Sequence, residues 1–171
     1  MHIVEADERH VAPVWALVER CRDALAREGI AQWDAVYPTA ATVEQDVARR
    51  SLFVLEDAGA GGVVGCVTLT PEQDPEYGTV AWALPEPALV VHRLCVEPAM
   101  QGRGHAHRIM GFAESHAAAR GYASVRLDAY TGNPRAVALY RRRGYREAGQ
   151  VFFPRRALPF SCFERAPAPG R

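Results

Sequence analysis

A chain of 171 residues has the length of one ordinary domain and can build an apolar core without disulfide or metal staples. Its 20 basic and 20 acidic residues cancel, so bulk charge calls for neither nucleic acid nor a membrane surface as partner. No stretch approaches the ~18 uninterrupted apolar residues of a membrane helix, and the N-terminus has no apolar signal core, which predicts a soluble, cytoplasmic protein. Cys21, Cys66, Cys95 and Cys162 lie far apart with no CxxC-like grouping, and three sit in apolar runs. They read as buried free thiols, and no metal-ligand set is expected.

In chain order, Ile3-Val4 predicts a short first strand. Asp7 caps a helix whose apolar positions, Val11, Val14, Trp15, Val18, Cys21 and Leu25, recur at helical spacing until Gly29 stops it. Residues 30–38 are irregular and aromatic. Thr39 or Thr42 opens a second helix to about Arg50. Leu52–Leu55 and Val63–Leu69 form a hairpin around a Gly-rich turn at 57–62. Tyr77–Ala83 reads as a further strand, broken by Pro85 and Pro87. Leu89–Val96 is a near-continuous apolar run, as in a central strand buried on both faces. A helix spans Gly104–Arg120 with Gly121 after it, Val125–Ala129 is a strand, and Asn133–Arg143 is a helix ended by Gly144. Tyr145–Phe153 and Pro159–Glu164 close the chain as strands. The fold class is α/β with a mixed sheet, one domain over 1–166 and a frayed tail at 167–171.

Two stretches carry chemistry. Gln101-Gly102-Arg103-Gly104-His105-Ala106 joins a buried strand to a helix. Its glycines permit a sharp turn, and the helix start offers unpaired amides and a partial positive charge, together an anion site. A tight turn without a ligand fits the same residues. A dinucleotide fingerprint does not, since His107 stands where a third glycine is needed. Downstream, Asn133-Pro134 is a good cap followed by Pro at the first helical position. Ala136, Leu139 and Tyr140 share one face of that helix, with small Ala136 leaving room for something narrow.

The two stretches together resemble the GNAT superfamily of N-acetyltransferases. Gln101 to Ala106 matches its pyrophosphate motif, Q/R-x-x-G-x-G/A. Asn133 to Tyr145 matches its second signature, N-x-x-A-x-x-L-Y-x-x-x-G-F/Y. The resemblance is firm over residues 89–153 and implies a GNAT acyl-CoA N-acyltransferase fold with acetyl-CoA as cosubstrate and no metal. It implies that the strand backbone at Leu94, Cys95 and Val96 pairs with the pantetheine arm. Gln101, Gly102, Arg103, Gly104, His105 and Ala106 would then hold the pyrophosphate. Asn133 and Ala136 would meet the cofactor arm, and Tyr140 would face the thioester sulfur. His105 departs from the aliphatic residue usual there, and its ring is expected to face either phosphate or the core.

The implied activity is direct transfer of acetyl from acetyl-CoA to a primary amine of a small molecule or peptide. A fold-alike that binds acyl-CoA without turnover is the alternative. Tyr140, with an ordinary phenol pKa of ~10, suits protonation of the leaving thiolate. His92 is the candidate base, with Glu97, Asp128 and Glu164 as rivals, and reads equally as a hydrogen-bonded core residue. Arg93 is expected either to orient an acceptor carboxylate or to pair with Asp128 or Glu164. Trp33 and Tyr37 are expected to wall the acceptor pocket, whereas Trp82 and Phe160 read as core. Arg141–Arg143 read as a solvated helix end, with one of them, Arg103 or Arg108 available to a 3′-phosphate. The resemblance leaves a homodimer open.

Overall fold

The computed structural model describes residues 1–57, 59 and 62–168. Positions 58, 60 and 61 of the expected hairpin turn and 169–171 of the expected tail lie outside them. The chain falls into two compact units, Met1–Leu69 with Arg93–Phe112, and Thr70–His92 with the residues from Ala113 onward.

In the first unit, β1 (His2–Glu5) pairs antiparallel with β2 (Leu52–Asp57), and β2 with β3 (Gly62–Thr70). Asp7 makes the expected cap, accepting the Arg9 amide at 3.1 Å, and a 3₁₀ turn at Glu8–His10 feeds α1 (Val11–Arg27). The helical spacing places Val14, Leu17, Val18 and Cys21 on one buried stripe. Gly29 ends the helix at φ +73°, a value that favours glycine. Thr39 caps α2 (Ala40–Ala48), which turns Val43, Asp46 and Val47 inward. The apolar members of both helices share a core with Leu52, Val54, Cys66 and Cys95, and each buried Val or Leu contributes roughly 1.5–3 kcal/mol.

The second unit contains the start of β4 (Ala88–Val96), then β5 (Ser124–Tyr130), α4 (Pro134–Arg142), β6 (Arg146–Val151) and β7 (Phe160–Arg165). β4 runs on into the first unit at Arg93, and α3 (His105–Ala119) also spans both. β5 pairs parallel with β4 and antiparallel with β7, and β7 pairs antiparallel with β6. The mixed sheet has the order β1-β2-β3-β4-β5-β7-β6, with β4 in the middle as its apolar run predicts.

One expected strand is absent. Tyr77–Ala83 forms no strand; Pro75–Thr79 is a 3₁₀ turn with Pro at its start, and the chain is irregular up to β4. The physical reason is that its backbone donors find partners outside any ladder. The amides of Ala83 and Leu84 both donate, at 3.0 Å, to the carboxylate of Glu164. Indole Nε1 of Trp82 donates to the Tyr77 carbonyl at 3.1 Å. Among the described residues the sheet therefore has seven strands, one fewer than the sequence suggests.

Candidate functional site

Within the first unit, the end of β4 and the turn after it carry the expected anion cradle. Gly102 and Gly104 adopt φ +77° and +83°, and a Cβ at either would meet nothing within 4 Å. These glycines serve backbone conformation, and the space beside them is open to a ligand. Arg108 N–H donates to the Gly104 carbonyl at 3.0 Å, so the amides of Gly102 to Ala106 precede the ladder of α3 and stay available to an anion. Gln101 turns back, donating its side-chain amide to the Val96 carbonyl at 3.1 Å, and so ties the turn to the strand. The His105 Nε2 is enclosed and has no hydrogen-bond partner, so the ring faces protein and not phosphate. Arg108 donates to the Met1 carbonyl at 2.5 Å, and Arg103 rests near the Met100 sulfur at 3.7 Å.

The strand itself is kinked at Arg93, a non-glycine residue at φ +50°. Leu94 is half-buried, and Cys95 and Val96 are buried. The Val96 carbonyl also accepts the Cys21 thiol at 3.3 Å, and the Cys95 and Cys66 sulfurs lie 3.4 Å apart. Hydrogen bonding to Cys21 and Cys66, with burial, pushes the Cys95 thiol well up, so it stays protonated. All four cysteines are buried and unbridged, as their apolar settings suggest.

Arg93 pairs with neither Asp128 nor Glu164. Its Nε and Nη2 fork onto Asp46 at 2.9 Å each, and its Nη1 donates to the Tyr37 hydroxyl at 2.6 Å. Thr68 completes the set, donating to Asp46 Oδ2 at 2.8 Å. Burial opposes the Arg93 charge, but Tyr37 and Asp46 outweigh it and hold the guanidinium pKa above its ordinary value. Asp46 is a residue that sequence reading passed over. Trp33 belongs to the apolar core, 9% exposed, whereas Tyr37 is 39% exposed.

The second unit holds the other candidates. Asn133 caps α4 by accepting the Ala136 amide at 3.2 Å. That fixes the start of a helix whose Leu139 and Tyr140 are buried and whose Ala136 is half-buried. The Tyr140 ring packs against Tyr145 and Phe163, with centroids 6.0 and 5.9 Å away. Its hydroxyl has no hydrogen-bond partner among the described residues. Burial, then the Asp128 charge, raises this phenol well above the ordinary value assumed from sequence. It is protonated, as a proton donor must be, but holds its proton harder than a free phenol.

The β4–β5 ladder runs from Ala88 opposite Ser124 to Val91 opposite Leu127 and stops. The next residues on the two strands are His92 and Asp128. His92 is half-buried, with Nε2 3.4 Å from the Glu72 carbonyl. Asp128 accepts the Tyr77 hydroxyl at 2.7 Å. Burial pushes its carboxyl up to about 6 against the lowering effect of that hydrogen bond, and Asp74 and Glu76 add to the rise. The other rival bases are engaged elsewhere: Glu97 with Arg20 at 2.8 Å in the first unit, and Glu164 with Ala83, Leu84 and Arg146 in the second. Arg143 leaves the expected solvated helix end and forms a buried pair with Glu114, at 3.0 and 2.8 Å.

Comparison with known proteins identifies the family and the fold. The family model described as Acetyltransferase (GNAT) family matches residues 16–145, three quarters of the chain. The chain belongs to the GNAT acetyltransferase family. It is accordingly an acyltransferase, with the Gln101–Ala106 turn and α4 inside the matched span. Among solved structures, a GNAT-family acetyltransferase from Streptococcus agalactiae superposes at TM-score 0.81, with 19% identity over 96% of this chain and 94% of its own. One from Listeria monocytogenes gives 0.76 at 18% over 96% and 94%. A spermidine N-acetyltransferase chimera from Vibrio cholerae and hSSAT gives 0.69 at 18% over the same shares. No curated protein matches the sequence.

Proposed function

We propose that this GNAT enzyme transfers an acetyl group from acetyl-CoA directly to a primary amine of a small molecule or peptide. The observation that carries the proposal is the Gln101–Ala106 turn, where two left-handed glycines with open space at their Cβ positions lead into α3. Amides set this way, with the positive end of the helix dipole, suit the cosubstrate's pyrophosphate. The residues present fit that group. Gly102, Arg103, Gly104, His105 and Ala106 would hold it through backbone amides, with Gln101 bracing the turn. Leu94, Cys95 and Val96 would offer strand backbone to the pantetheine arm, with one amide polarising the acyl carbonyl. Asn133 and Ala136 would border the arm.

Acetyl-CoA supplies an activated acyl carbon and a thiolate leaving group. Tyr140, with an unpartnered hydroxyl, donates the proton that the departing sulfur needs. His92 stands where β4 leaves its parallel partner and is one candidate for the base. Tyr37, fixed by Arg93 and more than a third exposed, would border the acceptor. Because a spermidine N-acetyltransferase chimera shares this fold, polyamines are among the acceptors to test first. Four unbridged cysteines support a cytoplasmic setting.

The test is thiol release from acetyl-CoA over a panel of primary amines. Turnover with at least one amine is expected, and Tyr140→Phe should lower kcat roughly 10²-fold or more while leaving acetyl-CoA affinity within about threefold. Binding of acetyl-CoA without thiol release from any amine would refute the reading.

A further inference from the structure

The buried carboxylates among the described residues are held by arginines. Asp46 has Arg93, Glu114 has Arg143 and Arg165, and Glu164 has Arg146. Asp128, half-buried, breaks the pattern. Its one hydrogen-bond donor is the neutral Tyr77, and its second oxygen accepts nothing among the described residues. The charged groups acting on it, Asp74 and Glu76, share its sign. Such a carboxylate lacks a cation that the fold itself does not supply.

Its surroundings fix it in place. Tyr77 is 2% exposed, packs at a tilt against Trp82 with centroids 5.3 Å apart, and receives the Trp82 indole N–H on its carbonyl. The hydroxyl that holds Asp128 Oδ2 therefore cannot swing away. Asp128 follows Leu127, the last β5 residue laddered to β4, so no pairing strand covers it on that side. Tyr140, only 7% exposed and with an unpartnered hydroxyl, feels its charge. The groups facing Asp128 are thus Asp74, Glu76 and Tyr77 from the turn, Tyr140 from α4 and Cys162 from β7, with His92 at the next β4 position. None is a permanent cation.

We propose that Asp128, clamped by Tyr77, receives the protonated amine of a cationic acceptor and takes the proton that nitrogen must lose before it attacks. The inference rests on the acyl-transfer reading above and adds the base and the acceptor class. R–NH₃⁺ gives one proton to Asp128 Oδ1. The freed lone pair forms the N–C bond to the acetyl carbon as the C–S bond breaks. The sulfur takes the Tyr140 proton, and the second proton leaving nitrogen restores the phenol. Asp128 then releases its proton to water. Asp74 and Glu76 favour acceptors with further positive charge and repel those bearing a carboxylate.

The experiment begins with thiol release over the amine panel, including 1,4-diaminobutane and 4-aminobutyrate, which differ in the charge of the far end. No release with any amine sinks the acyl-transfer reading itself. Given turnover, cationic acceptors should exceed anionic ones by about tenfold or more in kcat/KM. With the best acceptor, Asp128→Asn should lower kcat/KM by roughly 10²–10⁴-fold and abolish the acidic limb of the pH profile. Tyr77→Phe, which removes only the clamp, should lower kcat and move that limb to higher pH, because the lost hydrogen bond had favoured the charged carboxylate. Should Asp128→Asn fail to fold, the Tyr77→Phe limb decides. An unmoved limb in Tyr77→Phe, a limb that vanishes in His92→Gln instead, or a preference for 4-aminobutyrate would overturn the proposal.

Discussion

Glu164→Gln tests how the irregular segment before β4 is held. The Glu164 side chain is 0% exposed and accepts from the Ala83 and Leu84 amides at 3.0 Å each and from Arg146 Nη2 at 2.6 Å. Glutamine keeps the volume but offers one acceptor oxygen, so its own NH₂ must face a donor. One buried backbone N–H is then orphaned, about 1–3 kcal/mol, and the other exchanges an ionic acceptor for a neutral one, about 1 kcal/mol more. Arg146 is 63% exposed and turns to water, so its share is small. The total of about 2–4 kcal/mol corresponds to a fall in Tm of roughly 4–16 °C at this chain length. Burial opposes the Glu164 charge, yet Arg146 and the two amides hold the carboxyl below its ordinary value. This stabilisation is therefore present above the unfolded-state pKa and is lost as pH falls through the lowered folded-state one. Thermal melts of wild type, Glu164→Gln and Arg146→Ala, with amide exchange read at Ala83 and Leu84, give the answer. Melting of Glu164→Gln within about 2 °C of wild type, or unchanged protection at both amides, would refute the anchoring role.

Asp46→Ala should destabilise by about 3–5 kcal/mol in urea unfolding, since it strands an Arg93 side chain only 15% exposed, whereas Tyr37→Phe should change stability by less than about 1 kcal/mol. Gly104→Ala meets no clash but must hold φ +83°, so it should lose about 1–2 kcal/mol in the same assay and raise KM for acetyl-CoA several-fold in steady-state kinetics.

The parts of this molecule that could be read from sequence are those fixed by neighbours a few residues away. The left-handed glycines at 102 and 104, the Asn133 cap and the stripe of α1 all answer to local rules, and the structure has them as the residues suggest. The segment 77–83 failed for the opposite reason. Tyr77, Thr79 and Ala81 alternate with Val80 and Trp82 as in a strand, but what decides its backbone is a carboxylate about 80 residues further on. Asp46 did leave a trace: it shares the buried face of α2 with Val43 and Val47, and a carboxylate there must be paired. Which of the 20 basic residues answers it depends on the kink at Arg93, a backbone feature without a sequence signature. Tyr140 was legible as a position in the second signature, but its acidity was not, because the shift arises from burial and from the charge of Asp128 on β5.

The same long-range origin makes Asp128 informative about the trade between stability and chemistry. Its carboxyl rises from an ordinary 3.8 to about 6 in the folded protein. A raised folded-state pKa means that its contribution to stability is fully present below about pH 3.8 and is lost as pH climbs through about 6. Two pKa units correspond to at most about 3 kcal/mol, and partial solvent contact reduces that to about 1–3. Asparagine keeps an oxygen for the Tyr77 hydroxyl and removes the ionisation. Asp128→Asn should therefore match wild type in Tm at pH 4 and exceed it by about 2–12 °C at pH 7.5. A purely architectural carboxylate, paired like Glu164, would show the reverse, with the variant weakest at neutral pH. A variant less stable than wild type at pH 7.5 would mean that the charge is compensated inside the fold, and the argument that it awaits a cationic acceptor would lose its ground.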